Sequence, residues 1–387
     1  MKILHVLQYH FDDLLGGIQR YVKDLSFLQA RSGHDVEIFC SGKKGLSKQG
    51  NPRVQKFFGI NILRTPICFG MIKEFMSCRY DVVHIHAQFP IIGELIAILC
   101  KIKKIPVVTT YHNEPDLSNK GFPKNFLRVF WERFLVGTLL GYSDKIIVTT
   151  REFFNSSRFL KRFDKKVSVV PCGVFMRETK HLPRSRTVLY VGRIKPEKGL
   201  HTLVEAIFLL RNYRKSDVNL LIVGEATRDD EREHLVGLKA LVHDLKLDAS
   251  IEFLGKVSDE ELEKIYKKSS VLVLPSLTRL EAFGIVQLEA MAFAVPVIVS
   301  DIPGPRSVLK HVSLTFSPGD AKALATAIEK IVSDQLLVEK MTKKGKELLA
   351  TKYSWHIVYE QINQIYQQAI RDCLYSHIDS EDKGDQI

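Results

Sequence analysis

Paired cysteines, long apolar runs and glycine-rich phosphate loops are all scarce in these 387 residues. The six cysteines, Cys40, Cys68, Cys78, Cys100, Cys172 and Cys373, form no CxxC pair and no even framework. That spacing excludes a zinc ribbon or a disulfide-stapled fold and leaves reduced, mostly buried thiols. The longest apolar run, PIIGELIAILC (90–100), is about half a membrane span and contains Glu94, and MKILHVLQYH lacks the cleavage site and polar flanks of a signal peptide. A cytoplasmic protein is expected. Neither GxGxxG nor GxxxxGK[ST] occurs, so nicotinamide dehydrogenases and P-loop ATPases are poor fits. RNP-like and helix-turn-helix signals are missing, as are aromatics interleaved with the basic residues, and nucleic acid is not an expected partner.

What is present is charge, unevenly spread, and a repeated rhythm of strands and helices. Residues 1–186 hold 30 Lys/Arg against 15 Asp/Glu, and the remainder hold 26 against 29. The first half is therefore suited to an anionic surface. Short β-branched runs, KILHVLQY, DVEIFC, INILR, YDVVHIH, PVVTTYH, KIIVTT and KVSVVP, alternate with helix-length segments at 17–31, 90–104 and 122–140. This is the pattern of a doubly wound parallel α/β sheet. After HLPRSR (181–186) it restarts with TVLYVG, VNLLIVG, SIEFLG, SVLVLP and VPVIVS. The expected organisation is one domain over 1–180, a second over 186–352, a helix over 353–372 and a polar, disordered tail over 376–387. Two such sheets bring the carboxyl ends of their strands to a cleft, where open α/β sheets bind ligands.

Candidate site residues stand at those strand ends. Gly16 and Gly17, in FDDLLGGIQRYV, let backbone approach a phosphate at a helix start. In YVGRIKPEKGL, Arg193, Lys195, Lys198 and Gly199 follow a strand within seven residues and suit a diphosphate. RLEAFGIVQLEAMA places Glu281 in a loop and Glu289 about one and a half turns into the next helix, so one faces the sugar of a bound nucleotide and the other its ribose. Alternatively Glu281 caps the helix, and Glu289 pairs with Arg193 or Lys198. His84 and His86 share a strand face with a spacing that suits a metal.

Nearly the whole chain resembles the family 4 retaining glycosyltransferases, which have the two-domain GT-B architecture of facing Rossmann-like domains. The resemblance rests on GGIQRYV, DVVHIHAQFP, TTYHNE, VVPCGV, VGRIKPEKGLHTLVEA, LLIVGEA, IEFLGKVSDEEL and the E-x7-E of LEAFGIVQLEAMA, in that order. It implies transfer of a sugar from a nucleotide-diphosphate donor with retention at the anomeric carbon and no bound metal or other cofactor. Arg193 and Lys198 then match the diphosphate-binding pair, Glu281 the contact to the donor sugar and Glu289 that to the ribose. Phe283, Gly284 and Ile285 lie on the donor side with Gly16 and Gly17, and His112 sits beside the transferred sugar. Two departures stand out: Ala294 where the family usually has Gly, and Cys172 where PNGV is common.

The family also implies that the segment around Trp355, Val358, Ile362 and Tyr366 crosses back to the first domain, with cleft closure around 171–186 and near 353. The resemblance is strongest to bacterial mannosyl- and rhamnosyltransferases of surface polysaccharide and lipopolysaccharide synthesis, which points to GDP-mannose and a lipid-linked or glycan acceptor. An anionic membrane surface is an expected partner, reached from the cytoplasmic side through the basic first half and through Phe126, Phe130, Trp131 and Phe134 set among Lys124, Arg128 and Arg133. A non-catalytic sugar-nucleotide or nucleic-acid binder, or an epimerase acting on the donor, are the alternative functions.

Overall fold

The computed structural model of the chain describes all residues but 11–15, 43–44, 47–49, 63–64, 88–90, 115–133, 158, 178–185 and 382–387. Tertiary contacts divide it into two units: Met1–Leu14, Ile18–Pro171 and His356–Ile387 form the first, and Leu15–Gly17 with Cys172–Trp355 form the second. Of the linker expected at 181–186, only Arg186 is among the described residues.

The first unit is built on an eight-stranded sheet ordered β10-β9-β8-β7-β1-β2-β4-β3. Its strands are β1 (Lys2–Tyr9), β2 (Asp35–Ser41), β3 (Gly45–Leu46), β4 (Arg53–Phe57), β7 (Val82–Ala87), β8 (Val107–Tyr111), β9 (Lys145–Val148) and β10 (Val167–Val169). All pairings are parallel except β3 with β4. Parallel strands covered on both faces read as continuous apolar runs, and Ile3, Leu4, Val6, Val82, Val83 and Ile85 are fully buried. The helices α1 (Gly17–Arg31), α2 (Phe69–Ser77) and α3 (Ile92–Lys103) supply the crossovers. INILR, expected as a strand of this sheet, instead forms β5 (Ile60–Ile62) of an antiparallel hairpin with β6 (Thr65–Ile67). The sheet position beside β2 is taken by β4, RVQKF, whose polar residues suit a strand near a sheet edge and leave no apolar signature.

The second sheet is six-stranded and wholly parallel, in the order β13-β12-β11-β14-β15-β16. It comprises β11 (Thr187–Val191), β12 (Asn219–Val223), β13 (Ile251–Gly255), β14 (Val271–Leu274), β15 (Val297–Ser300) and β16 (Leu314–Phe316). The helices α4 (Leu200–Tyr213), α5 (Asp229–Asp244), α6 (Asp259–Lys268), α7 (Val286–Ala292), α8 (Ala321–Ser333) and α9 (Gln335–Leu348) surround it. On one side of the sheet Val188, Tyr190, Leu203, Ile207, Ile222 and Ile328 form a closed apolar core.

After α9 a π-helical turn, Leu349–Tyr353, leads into the final helix, Trp355–Glu381. That helix enters the segment expected as a disordered tail from 376: RDCLYSHIDSE holds no Pro or Gly to stop it, and the residues beyond Glu381 lie outside the described ones. Its start is fixed by a parallel bridge between Val174 and Ser354, with Trp355 N donating to Val174 O.

Among the parallel strands of each sheet the order reverses at one point, between β1 and β7 in the first and between β11 and β14 in the second. Ligands of doubly wound sheets bind at the carboxyl ends of the strands flanking such a point.

Candidate active site

In the second unit the loops after β11 and β14 meet at the reversal. Leu277 N donates to Glu197 O at 2.8 Å, and Gly199 lies so close to the other loop that a Cβ would stand 2.1 Å from Pro275 O. With φ at +67° as well, this position requires glycine. Gly284 is equally constrained: its φ is +74°, and a Cβ would stand 2.4 Å from a Leu274 side-chain carbon. It turns the chain from the β14 loop into α7. That helix begins at Val286, so Glu289 lies in its first turn rather than one and a half turns in.

The cations and carboxylates of this site are paired. Lys198 forms an ion pair with Glu281, which also accepts from the Ser276 hydroxyl at 3.2 Å. Arg193 donates through Nη2 to Glu231 at 2.5 Å and to Thr227 Oγ1 at 3.0 Å. Its backbone carbonyl accepts from the buried Tyr190 hydroxyl. Among the described residues its buried Nε has no hydrogen-bond partner, so part of the guanidinium fork is unspent. Burial alone pushes the Glu231 carboxyl up, but the Thr227 backbone N–H and the Arg193 guanidinium outweigh it and hold the group at about 2. Lys195 is lowered by burial and by Arg193, while lying 3.2 Å from Glu197. Glu289 accepts from Tyr266 OH at 3.1 Å. Phe283 is buried edge-on against Tyr353, and Ile285 is buried at the entry to α7.

The first unit gathers imidazoles at its own reversal. His5 on β1 stands opposite His84 on β7, His86 follows two residues later on the same face, and His112 comes directly after β8. All four are buried. His5 contacts Gln29 Oε1 through Nε2 (2.7 Å) and His86 Nε2 through Nδ1 (3.0 Å), and His86 Nδ1 contacts His112 Nε2 (3.1 Å). His84 contacts Tyr366 OH (2.5 Å) and Thr110 Oγ1 (2.6 Å). Burial lowers His5 to about 4 and His112 to about 3, and carries His84 and His86 well below the ordinary imidazole range. Ring nitrogens of His5, His84 and His86 come within 4.8 Å of one another, the one such ligand cluster among the described residues, but both nitrogens of each ring already have protein partners. Gly17 opens α1 with Gly16 before it, and contacts group both with the second unit.

Sequence reasoning missed Glu231, Tyr266 and Gln29, and named Tyr366 only as part of the returning helix. Glu231 reads locally as one of several acids in a helix's first turn, and Gln29 and Tyr366 are 337 positions apart.

Known proteins resemble both halves. The model of the family described as Glycosyltransferase Family 4 matches residues 15–176, and that of Glycosyl transferases group 1 matches 175–348. O-antigen chain mannosyltransferase C of Escherichia coli is 26% identical, over 87% of this chain and 90% of its own. Phosphatidyl-myo-inositol mannosyltransferase of Mycolicibacterium smegmatis is 28% identical, over 95% and 94%. The solved structure of sucrose-phosphate synthase from Thermosynechococcus elongatus shares the fold with a TM-score of 0.77 at 23% identity, covering 96% of this chain and 100% of that one. The chain is thus a glycosyltransferase of the GT-B type, its first half matched by the Family 4 model and its second by the group 1 model.

Proposed function

We propose that this glycosyltransferase moves a hexose from a nucleotide-diphosphate donor to a lipid-linked or glycan acceptor with retention at the anomeric carbon, and that the donor is GDP-mannose. The observation that carries the reading is the Arg193, Lys198 and Glu281 cluster at the reversal point of the second sheet. Departure of a diphosphate builds negative charge, and fixed cations placed beforehand stabilise it without reorganisation. Lys198 and the unspent donors of Arg193 fill that role, Glu281 orients Lys198 and meets the sugar, and Glu289 meets the ribose. His112 lies beside the transferred sugar on the acceptor side. Retention follows from attack on the same face, with the departing phosphate taking the acceptor's proton. These basic groups do the work a metal does elsewhere, so no metal is assigned. That two relatives bear the name mannosyltransferase supports the sugar.

Thermal shift against GDP-, UDP-, dTDP- and ADP-sugars, followed by release of free nucleoside diphosphate with acceptor present, tests the donor. Stabilisation by GDP-mannose with GDP release is expected, undiminished by chelator. Release that requires Mg²⁺ or Mn²⁺ counts against the metal-free reading, and a product that keeps the sugar–nucleotide bond points to an epimerase.

The acceptor is proposed to lie at the anionic inner face of a membrane, within a surface-polysaccharide pathway. No helix among the described residues is long and apolar enough to cross a membrane, so contact would be by adsorption. Support comes from the basic first half and from a relative named for a phosphatidylinositol acceptor. Of the interfacial face expected at 122–140, residues 122–133 lie outside the described ones, while 134–142 is helical with Phe134 exposed. Co-sedimentation with anionic vesicles at low salt, reversed once the Debye length falls below about 8 Å, is expected. Equal binding to neutral vesicles, or none to either, favours a soluble acceptor.

A further inference from the structure

The buried chain in the first unit has a direction that can be worked out proton by proton. A carbonyl oxygen only accepts, so Gln29 Oε1, 2.7 Å from His5 Nε2, requires the proton on that nitrogen. A neutral imidazole carries one N–H. The His5 Nδ1 is then bare and accepts from His86 Nε2–H at 3.0 Å, and the bare His86 Nδ1 accepts from His112 Nε2–H at 3.1 Å. The other arm obeys the same rule. The Gln29 amide donates to the Tyr366 hydroxyl at 3.2 Å, which donates in turn to His84 Nδ1, and His84 Nε2–H donates to Thr110 Oγ1. Each contact receives one proton and no ring needs a charge. Burial of all four imidazoles keeps them neutral, so the orientation of the Gln29 amide sets the whole sequence of donors.

Reversing the Gln29 amide reverses every step. Tyr366 would then donate to Gln29 and accept from His84, and the proton on His112 would move to Nδ1. The chain acts as a unit whose sense is read out at His112.

We propose that Gln29, His5, His86 and Tyr366 are positioning residues that hold His112 as its Nε2–H tautomer, so that His112 Nδ1 is presented to the sugar-transfer reaction as a hydrogen-bond acceptor. The consequence for the reaction rests on the placement of His112 beside the transferred sugar. Such a nitrogen accepts from a substrate hydroxyl; the opposite tautomer would donate and mispair with it. The Tyr366 hydroxyl, on the final helix, selects between them through Gln29.

The test is ¹⁵N NMR of the full chain labelled at histidine, at pH 7, with His112 assigned by its loss in His112→Asn. His112 is expected to show a protonated Nε2 and a bare Nδ1. Tyr366→Phe and Gln29→Leu are expected to give a mixture of tautomers and to lower kcat about 10-fold, as outer hydrogen-bond partners of functional groups commonly do, with donor KM unchanged. Gln29→Glu, an acceptor on both oxygens, is expected to restore the single tautomer. A protonated Nδ1 in the unaltered protein, or an unchanged His112 signal in both Tyr366→Phe and Gln29→Leu, overturns the proposal. A mixed tautomer with undiminished kcat also overturns it, and removes His112 from the sugar while leaving the donor site of the second unit intact.

Discussion

The two units place polar groups at the reversal points of their sheets by opposite means. The first uses neutral imidazoles, joined to one another, to Gln29 and to Tyr366. The second uses ions, with Arg193 on Glu231 and Lys198 on Glu281. A neutral chain transmits orientation and brings almost no field of its own. An ion-paired cluster supplies field and can trade a carboxylate for a phosphate. The division suits a transfer reaction in which one partner is a polyanion and the other an alcohol.

The difference is sharpest in acid. Unfolded, each imidazole binds a proton near pH 6.5; folded, His5 does so only at about 4, His112 at about 3, and His84 and His86 lie well below the ordinary value. Below pH 6.5 the unfolded chain therefore binds more protons, and stability falls as pH falls. Glu94 works the other way, since burial raises it to about 7 and acidification toward 4.5 relieves that penalty. Four buried imidazoles against one carboxyl leave a net of three protons, an upper slope of about 4 kcal/mol per pH unit between pH 6 and 4.5, and His34, lowered by burial, adds a small further loss below 6.5. In the second unit Glu231 is lowered to about 2, so its contribution is complete above pH 4.5 and is lost from there downward; His234, lowered by burial, adds a small loss below 6.5. Peptide-resolved hydrogen exchange, corrected for intrinsic rates, is expected to show β1, β7 and β8 losing protection between pH 6 and 5 while β11 and β14 keep theirs. Simultaneous loss in both sheets would break the contrast.

The second expected effect falls on catalysis. Arg193→Ala or Lys198→Ala removes a charged contact proposed for the departing diphosphate and is expected to cost about 2–4 kcal/mol of transition-state stabilisation, seen as weaker donor binding and lower turnover together. Glu281→Gln is expected chiefly to slow transfer and Glu289→Gln chiefly to weaken the nucleotide. Unchanged donor kinetics in both Arg193→Ala and Lys198→Ala would remove the diphosphate assignment, and unfolding of both glutamate variants would make those residues structural.

Those four residues were legible in the sequence because their signals are local. Arg193 and Lys198 follow a strand whose apolar run is unmistakable, and Glu281 and Glu289 stand out in a segment otherwise fit for a core. Glu231 was not legible: in TRDDEREH it is one acid among several at a helix start, and only the fold brings it to Arg193, 38 positions away. The histidine chain is intermediate. Its members lie on, or directly after, strands that are easy to identify, but the direction of the chain depends on Gln29 and Tyr366, joined from distant helices. In the same way β4 escaped because an edge-side strand of Arg, Gln and Lys has no apolar pattern, and β16 because three residues are too few to show one.

The smallest effect concerns Ala294, which tests whether the second unit carries strain apart from its charges. Ala294 follows α7 with φ at +56°, its N–H bonded to Met291 O and the next N–H to Ala290 O. This is the left-handed closing position of a helix, usually held by glycine. A Cβ there costs about 1–2 kcal/mol, offset in a glycine variant by the extra freedom of the unfolded chain, about 0.5–1 kcal/mol. Ala294→Gly is therefore expected to stabilise the second unit by about 0.5–1 kcal/mol, and Ala294→Val, β-branched in the same conformation, to destabilise it by more. Because α7 carries Glu289 and is entered through Gly284, a gain in order here would be felt at the donor side and not among the histidines. Denaturant unfolding with hydrogen exchange resolves the two: protection is expected to rise in β14, α7 and β15 and to stay constant in β1 and β7. A glycine variant less stable than the original would mean that the buried Ala294 methyl is worth more to packing than the left-handed turn costs.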